Sequence, residues 1–188
     1  MKRLTIVALS ALMSVNAFAL FSETEPNNTR ATADNALYPR IAPWADVGVL
    51  SLSANDTDFF RIRLNAGDHL TAATFPLGNN GGTPDTVMAL FDATANLAVL
   101  SNDDNGASKG SAIVYTATTT GDYFLAITGF YGATGQQPQN QLSYYENAQH
   151  SQSGNYILTV SVVPEPASML ALGVGLAGLA GLRRRNRK

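Results

Sequence analysis

The 188-residue chain contains no cysteine. That excludes thiol catalysis, thiolate zinc sites, iron–sulfur clusters and any disulfide framework. Histidine is almost as scarce: His69 and His150 are the only two, too few for a multi-histidine metal site. Basic residues are short where they would matter most. Lys2 and Arg3 stand at the start and five cations crowd into 183–188, which leaves Arg30, Arg40, Arg61, Arg63 and Lys109 for everything between. Those five face thirteen of the fourteen acids, so residues 20–163 carry a net charge of −8. A segment this acidic is a poor partner for nucleic acid, which is held through Lys and Arg on phosphates. It suits a divalent cation bound through oxygen, or a solvated surface that keeps an exported protein soluble.

The two ends differ from the middle. Met1-Lys2-Arg3, the apolar run Leu4–Leu12 and Ala17-Phe18-Ala19 form the basic, apolar and small-residue parts of a secretory signal peptide spanning 1–19. At the other end, Pro164-Glu165-Pro166 is extended because each proline fixes its own φ and turns the preceding residue from helix. Ala167–Leu182 then runs sixteen residues without a charge, followed by Arg183, Arg184, Arg185, Arg187 and Lys188. An uncharged, helix-permissive run closed by a basic cluster predicts a membrane span with its C-terminus in the cytoplasm. At about 1.5 Å per residue it covers about 24 Å, short of the roughly 30 Å hydrocarbon core. It is a weak anchor, and Gly173, Ala177 and Gly181 put small residues on one face.

These residues resemble the PEP-CTERM sorting signal of Gram-negative bacteria over 163–188, with Pro164, Glu165 and Pro166 as the motif and Arg183, Arg184 and Arg185 in the basic tail. The resemblance implies signal peptidase and an exosortase as partners during export. It also implies a transient stay in the inner membrane and an end point at the cell surface or outside the cell.

Between the ends, residues 20–162 are one domain's length. Strand patterns are expected at Asp46–Ser53, Phe59–Leu64, His69–Phe75, Thr86–Phe91, Leu97–Leu100, Ser111–Ala117, Tyr123–Thr128 and Gly154–Val163, with Ser111–Ala117 and Tyr123–Thr128 as a hairpin. In Phe59–Leu64, Phe60, Ile62 and Leu64 share one face and Arg61 and Arg63 the other. Gly121-Asp-Tyr-Phe-Leu-Ala-Ile-Thr128 is echoed by Gly154-Asn-Tyr-Ile-Leu-Thr-Val-Ser161. About eight short strands without a convincing amphipathic helix predict an all-β, jelly-roll-like β-sandwich.

Glu-Pro-Asn-Asn near the start, Asn-Asp-Thr-Asp-Phe-Phe after one strand, Asp-Thr-Val-Met-Ala-Leu-Phe-Asp, Asn-Asp-Asp-Asn-Gly and Gly-Asp-Tyr-Phe-Leu-Ala-Ile-Thr-Gly follow in order. This succession resembles the bacterial pre-peptidase C-terminal domain, a jelly-roll module appended to secreted peptidases. The resemblance implies a structural calcium ion where a Glu-x-Glu-Pro-Asn segment meets an Asp-x-Asp turn. Carried over by position, it nominates Glu23, Glu25, Asn27, Asn28, Asp56 and Asp58. The competing reading is a turn before the first strand and a loop cap.

A second acidic loop places Ser101, Asp103, Asn105 and Gly106 as a calcium loop would, yet Ala112 stands where its closing acid belongs, so it is not an EF-hand. Asp103 and Asp104, joined by Asp85, form either a second oxygen cluster or a solvated turn. Gly106-Ala-Ser-Lys-Gly110 has the spacing of a nucleophile elbow, but in a polar loop between strands rather than at a strand-to-helix turn. The expectation is therefore a non-catalytic exported protein, with a secreted hydrolase using Asp56 and Asp58, or a purely structural matrix component, as alternatives. The aromatics of the long polar loop 129–153, Phe130, Tyr131, Tyr144 and Tyr145, are candidates to contact polysaccharide or protein.

Overall fold

A computed structural model describes residues 19–78, 82–131 and 138–165. The expected signal peptide to Phe18 and the expected membrane span and basic tail from Ala167 lie outside these residues. Among those described, no helix is long and apolar enough to cross a membrane.

The described residues form nine strands in two sheets: β1 Ala19–Phe21, β2 Trp44–Leu52, β3 Thr57–Leu64, β4 His69–Pro76, β5 Thr86–Asp92, β6 Leu100–Asn102, β7 Ala112–Thr116, β8 Gly121–Gly129 and β9 Gly154–Val163. The larger sheet has the order β1-β2-β9-β4-β7 and the smaller β3-β8-β5-β6. From β2 to β5 and again from β6 to β9 the chain changes sheet at each step, which is the jelly-roll-like sandwich expected.

Strict alternation drives the packing. In β9, Tyr156, Leu158, Val160 and Val162 point inward and are buried, and Leu50 and Leu52 of β2 and Leu70 and Ala72 of β4 flank them. They meet Phe60, Ile62, Leu64, Met88, Leu90, Leu125 and Ile127 of the smaller sheet in one apolar core. At roughly 1.5–3 kcal/mol for each large apolar side chain buried, this layer dominates stability. The echoed segments turn out to be equivalent: β8 lies between β3 and β5, and β9 between β2 and β4.

Three expectations are corrected. Ser111–Ala117 and Tyr123–Thr128 are not a hairpin, because β7 pairs with β4 in one sheet while β8 pairs with β3 and β5 in the other. The polar pattern of the long loop hid a helix, α1, Leu142–Glu146. The short strand expected at Leu97–Leu100 is shifted to Leu100–Asn102, where it pairs with Met88–Leu90.

β1, which no pattern announced, pairs in parallel with β2. Its Phe21 ring lies over Gly48, where any Cβ would come within 2.8 Å of it, and meets Phe60 edge-on at 5.7 Å. Gly48 is thus the gap that lets the first strand dock.

Candidate functional site

The Asn55–Thr57 turn between β2 and β3 is held from several sides. Asn55 adopts a left-handed backbone with φ 63°, a conformation asparagine tolerates. The Asp56 carboxylate accepts from Ser53 N–H (3.1 Å), Ser53 Oγ (3.1 Å), Thr57 N–H (3.0 Å) and Asn28 Nδ2 (3.0 Å). Its carbonyl oxygen accepts from Thr128 Oγ1 (2.8 Å) and His150 Nε2 (2.7 Å). His150 packs so closely on Gly129 that a Cβ there would lie 2.4 Å from the ring. Asp56 therefore closes the turn with both carboxylate oxygens engaged by four donors, one of them the Asn28 side-chain amide.

Two residues later the chemistry changes. Asp58 is fully buried; its Oδ2 accepts from the Tyr156 hydroxyl and its Oδ1 has no partner. Carboxylate oxygens of Asp58, Glu23 and Glu25 lie within 4.8 Å of one another. Glu23 Oε1 accepts from Ser51 N–H at 3.0 Å, while its Oε2 is buried without a partner. Asn27 threads between them. Its N–H donates to Glu25 Oε2 at 2.9 Å, its carbonyl accepts from Phe59 N–H at 3.1 Å, and its buried side-chain amide is unpartnered at both atoms.

None of the ion pairs among the described residues reaches this group; they join Arg40 to Asp46, Arg61 and Arg63 to Asp122, and Lys109 to Asp85 and Asp104. Burial pushes the Asp58 carboxyl well above its usual range, with Glu23 as the next cause and Tyr156 opposing it. Burial likewise raises Glu23, aided by Glu25 and opposed by the Ser51 amide. Asp58 is buried, Glu23 half-buried and Glu25 exposed, so the charge of the group falls hardest on Asp58, where a proton or a nearby cation would relieve it. Of the six nominated residues the structure brings Glu23, Glu25 and Asp58 together, with Asn27 beside them. Tyr156 was not nominated; the only signal was a tyrosine at an inward position of a strand, whose hydroxyl needs a partner when buried.

The second acidic loop is partly neutralised. Asp85, Asp103 and Asp104 also bring oxygens within 4.8 Å of one another, but Lys109 Nζ lies 3.2 Å from both Asp85 and Asp104. Gln139 Nε2 donates to Asp103 at 2.9 Å. Ser108 of the elbow-like motif accepts from Gly110 N–H in a tight turn before β7.

The aromatic candidates divide. Tyr144 and Tyr145 of α1 are buried, joining Leu142 in a second apolar layer over Phe59, Val87, Ala89, Phe91 and Ala126 on the outer face of the smaller sheet. Tyr145 meets Phe91 edge-on at 5.5 Å, and Tyr131 stacks on Tyr144 at 4.4 Å. The expectation that Tyr144 and Tyr145 reach a ligand is corrected, because covering that sheet uses them up. Phe130 and Tyr131 are only half-buried.

Residues 162–185 match the PEP-CTERM protein-sorting motif and residues 56–129 match the bacterial pre-peptidase C-terminal domain. The chain carries both, and the sorting motif marks it as an exported protein processed by an exosortase on its way through the membrane. Over 104 residues it is 29% identical to a "Probable subtilase-type serine protease" of Deinococcus radiodurans, a match covering 55% of this chain and 14% of that protein. Among solved structures, PliG of Aeromonas hydrophila, a periplasmic lysozyme inhibitor of g-type lysozyme, is similar with a TM-score of 0.44 and 13% identity over 78% of this chain and 98% of that one. The pre-peptidase C-terminal domain of collagenase from Bacillus anthracis has a TM-score of 0.39 and 11% identity over 78% of this chain and 95% of its own.

Proposed function

We propose that the protein is a non-catalytic surface or matrix component whose β-sandwich is stabilised by one calcium ion and which contacts polysaccharide or protein outside the cell. The observation that carries the calcium reading is Asp58: a fully buried carboxylate with one free oxygen, beside two further carboxylates and, among the described residues, no paired cation. Calcium takes six to eight oxygens, and Glu23, Glu25, Asp58 and the Asn27 amide oxygen would hold it. Bound there, it would tie the segment before β2 to the start of β3.

The same burial argues against a hydrolase. Asp58 lies out of reach of any substrate, and the Asp56 oxygens are committed to its own turn. Of the aromatic candidates, Phe130 and Tyr131 are the ones left partly exposed for a ligand.

The test is unfolding of the purified chain with calcium and with chelator. At a hundredfold excess over the dissociation constant, linkage adds about 2.7 kcal/mol of stability. Asp58→Ala is expected to lose that increment. An unchanged midpoint in the parent chain would remove calcium from this account.

A further inference from the structure

The two sheets present very different outer faces. The smaller is covered by α1 and the adjoining loop. The larger is bare. Its outward positions run in rows across the strands: Leu20, Val47, Thr159, Ala73 and Ala112 in one, Val49, Ile157 and Phe75 in the next, Ala45, Ser161, Thr71 and Val114 in a third. Val49 is 56% exposed, Phe75 48% and Val114 67%. None of these positions is Asp, Glu, Lys or Arg. In a segment carrying a net charge of −8, a whole sheet face without a charged side chain stands apart. Asp46, the acid within its longer strands, is buried, and Asp56 and Asp68 stand at the turns that begin and end β3.

We propose that this face is the contact between two copies of the chain. Two acidic domains repel each other wherever their acids meet, so close approach is favoured where both are uncharged. A face built of β-branched and small residues also has the flat, alternating relief on which sheets pack about 10 Å apart. Four strands at about 4.8 Å spacing and about eight residues of 3.3 Å give about 500 Å² per copy. Two copies then cover about 1,000 Å², the lower bound of a specific interface and well short of an obligate one. The dimer is therefore reversible and two-fold symmetric, each copy offering the same rows. The protruding Phe75, Val49 and Val114 are its apolar anchors.

The absence of cysteine makes the test clean. Val49→Cys and Val114→Cys place single thiols on the face, and Ala54→Cys and Ala93→Cys place them on exposed turns elsewhere. The full chain in detergent micelles is treated with a short bismaleimide and resolved by mass. Cross-linked dimer is expected from the two face positions and not from the two turn positions. Adding Thr71→Glu to Val49→Cys sets like charges across the two-fold and should raise the dissociation constant about tenfold, the equivalent of 1.4 kcal/mol. Circular dichroism checks that this exposed substitution leaves the fold intact. Equal cross-linking with and without Thr71→Glu would mean that another part of the chain joins the copies, and the proposal fails. It fails equally if all four positions remain monomeric, whether or not the face then binds polysaccharide or lipid vesicles.

Discussion

The Tyr156 hydroxyl donates to Asp58 Oδ2 inside the sandwich, so a strand of one sheet supplies the single hydrogen bond of a fully buried acid on the other. Tyr156→Phe removes that bond and little volume. In chelator it is expected to cost about 1–3 kcal/mol, the penalty of leaving a buried polar group unsatisfied. The calcium increment should survive, since Asp58 Oδ1 and the two glutamates are untouched. Denaturant unfolding in chelator and in calcium separates the two quantities.

The same acids set a pH dependence. Asp58 and Glu23 have folded-state values raised above 3.8 and 4.5 by burial, so the folded protein holds protons there more tightly than the unfolded chain. Their contribution is therefore fully present below the unfolded values and is lost as pH rises through the raised folded ones. In chelator, Asp58→Asn should gain stability relative to the parent as pH rises from about 4 to 7, because it removes a buried charge. With saturating calcium the order reverses at neutral pH. Melting curves of both proteins across that range, with and without metal, decide it; parallel curves would show that Asp58 is not the titrating group.

The helix side of the molecule makes a third expectation. Tyr145 is 1% exposed, packs edge-on to Phe91 and donates its hydroxyl to the Gln139 carbonyl at 3.0 Å. Tyr145→Ala empties a buried aromatic site and should cost about 3–5 kcal/mol. Tyr131→Ala, half-exposed on the same layer, should cost clearly less. If equilibrium unfolding ranked them the other way, α1 would not be the lid over the smaller sheet.

Much of this was legible in the residues. Alternation in Phe59–Leu64 assigned Phe60, Ile62 and Leu64 to the core and left Arg61 and Arg63 outside, where they pair with Asp122. The Glu23, Glu25 and Asp58 grouping followed from a family resemblance rather than from spacing. What stayed hidden depended on contacts far apart in the chain. Nothing local separates Asp56, whose carboxylate closes its own turn, from Asp58, whose side chain enters the core two residues later. Strand pattern shows that β7 and β8 are strands but not which sheet each joins. Tyr144 and Tyr145 read as exposed because their neighbours Gln, Asn and Ser are polar, yet half of a short helix faces the sheet.

The junction with the sorting signal supplies the last expectation. The motif match begins at Val162, which is fully buried, and Val163 is the final residue of β9. Pro164 and Glu165 follow at once, and the Glu165 side chain lies against Gly67 in the β3–β4 turn, within 3.1 Å of where a Cβ would stand. No residue separates the end of β9 from Pro164, so the first residues of the motif lie against the folded domain, and this contact is expected to slow an exosortase's access to them. Inserting four Gly/Ser residues between Val163 and Pro164 would add up to about 14 Å of reach without touching β9. Pulse-chase in cells is expected to show faster conversion of the membrane-bound form to the released one. Gly67→Ala should perturb the Glu165 contact, and processing should change in the same direction though less. Unchanged rates in both variants would mean that the enzyme reads the motif without displacing Glu165 from the domain.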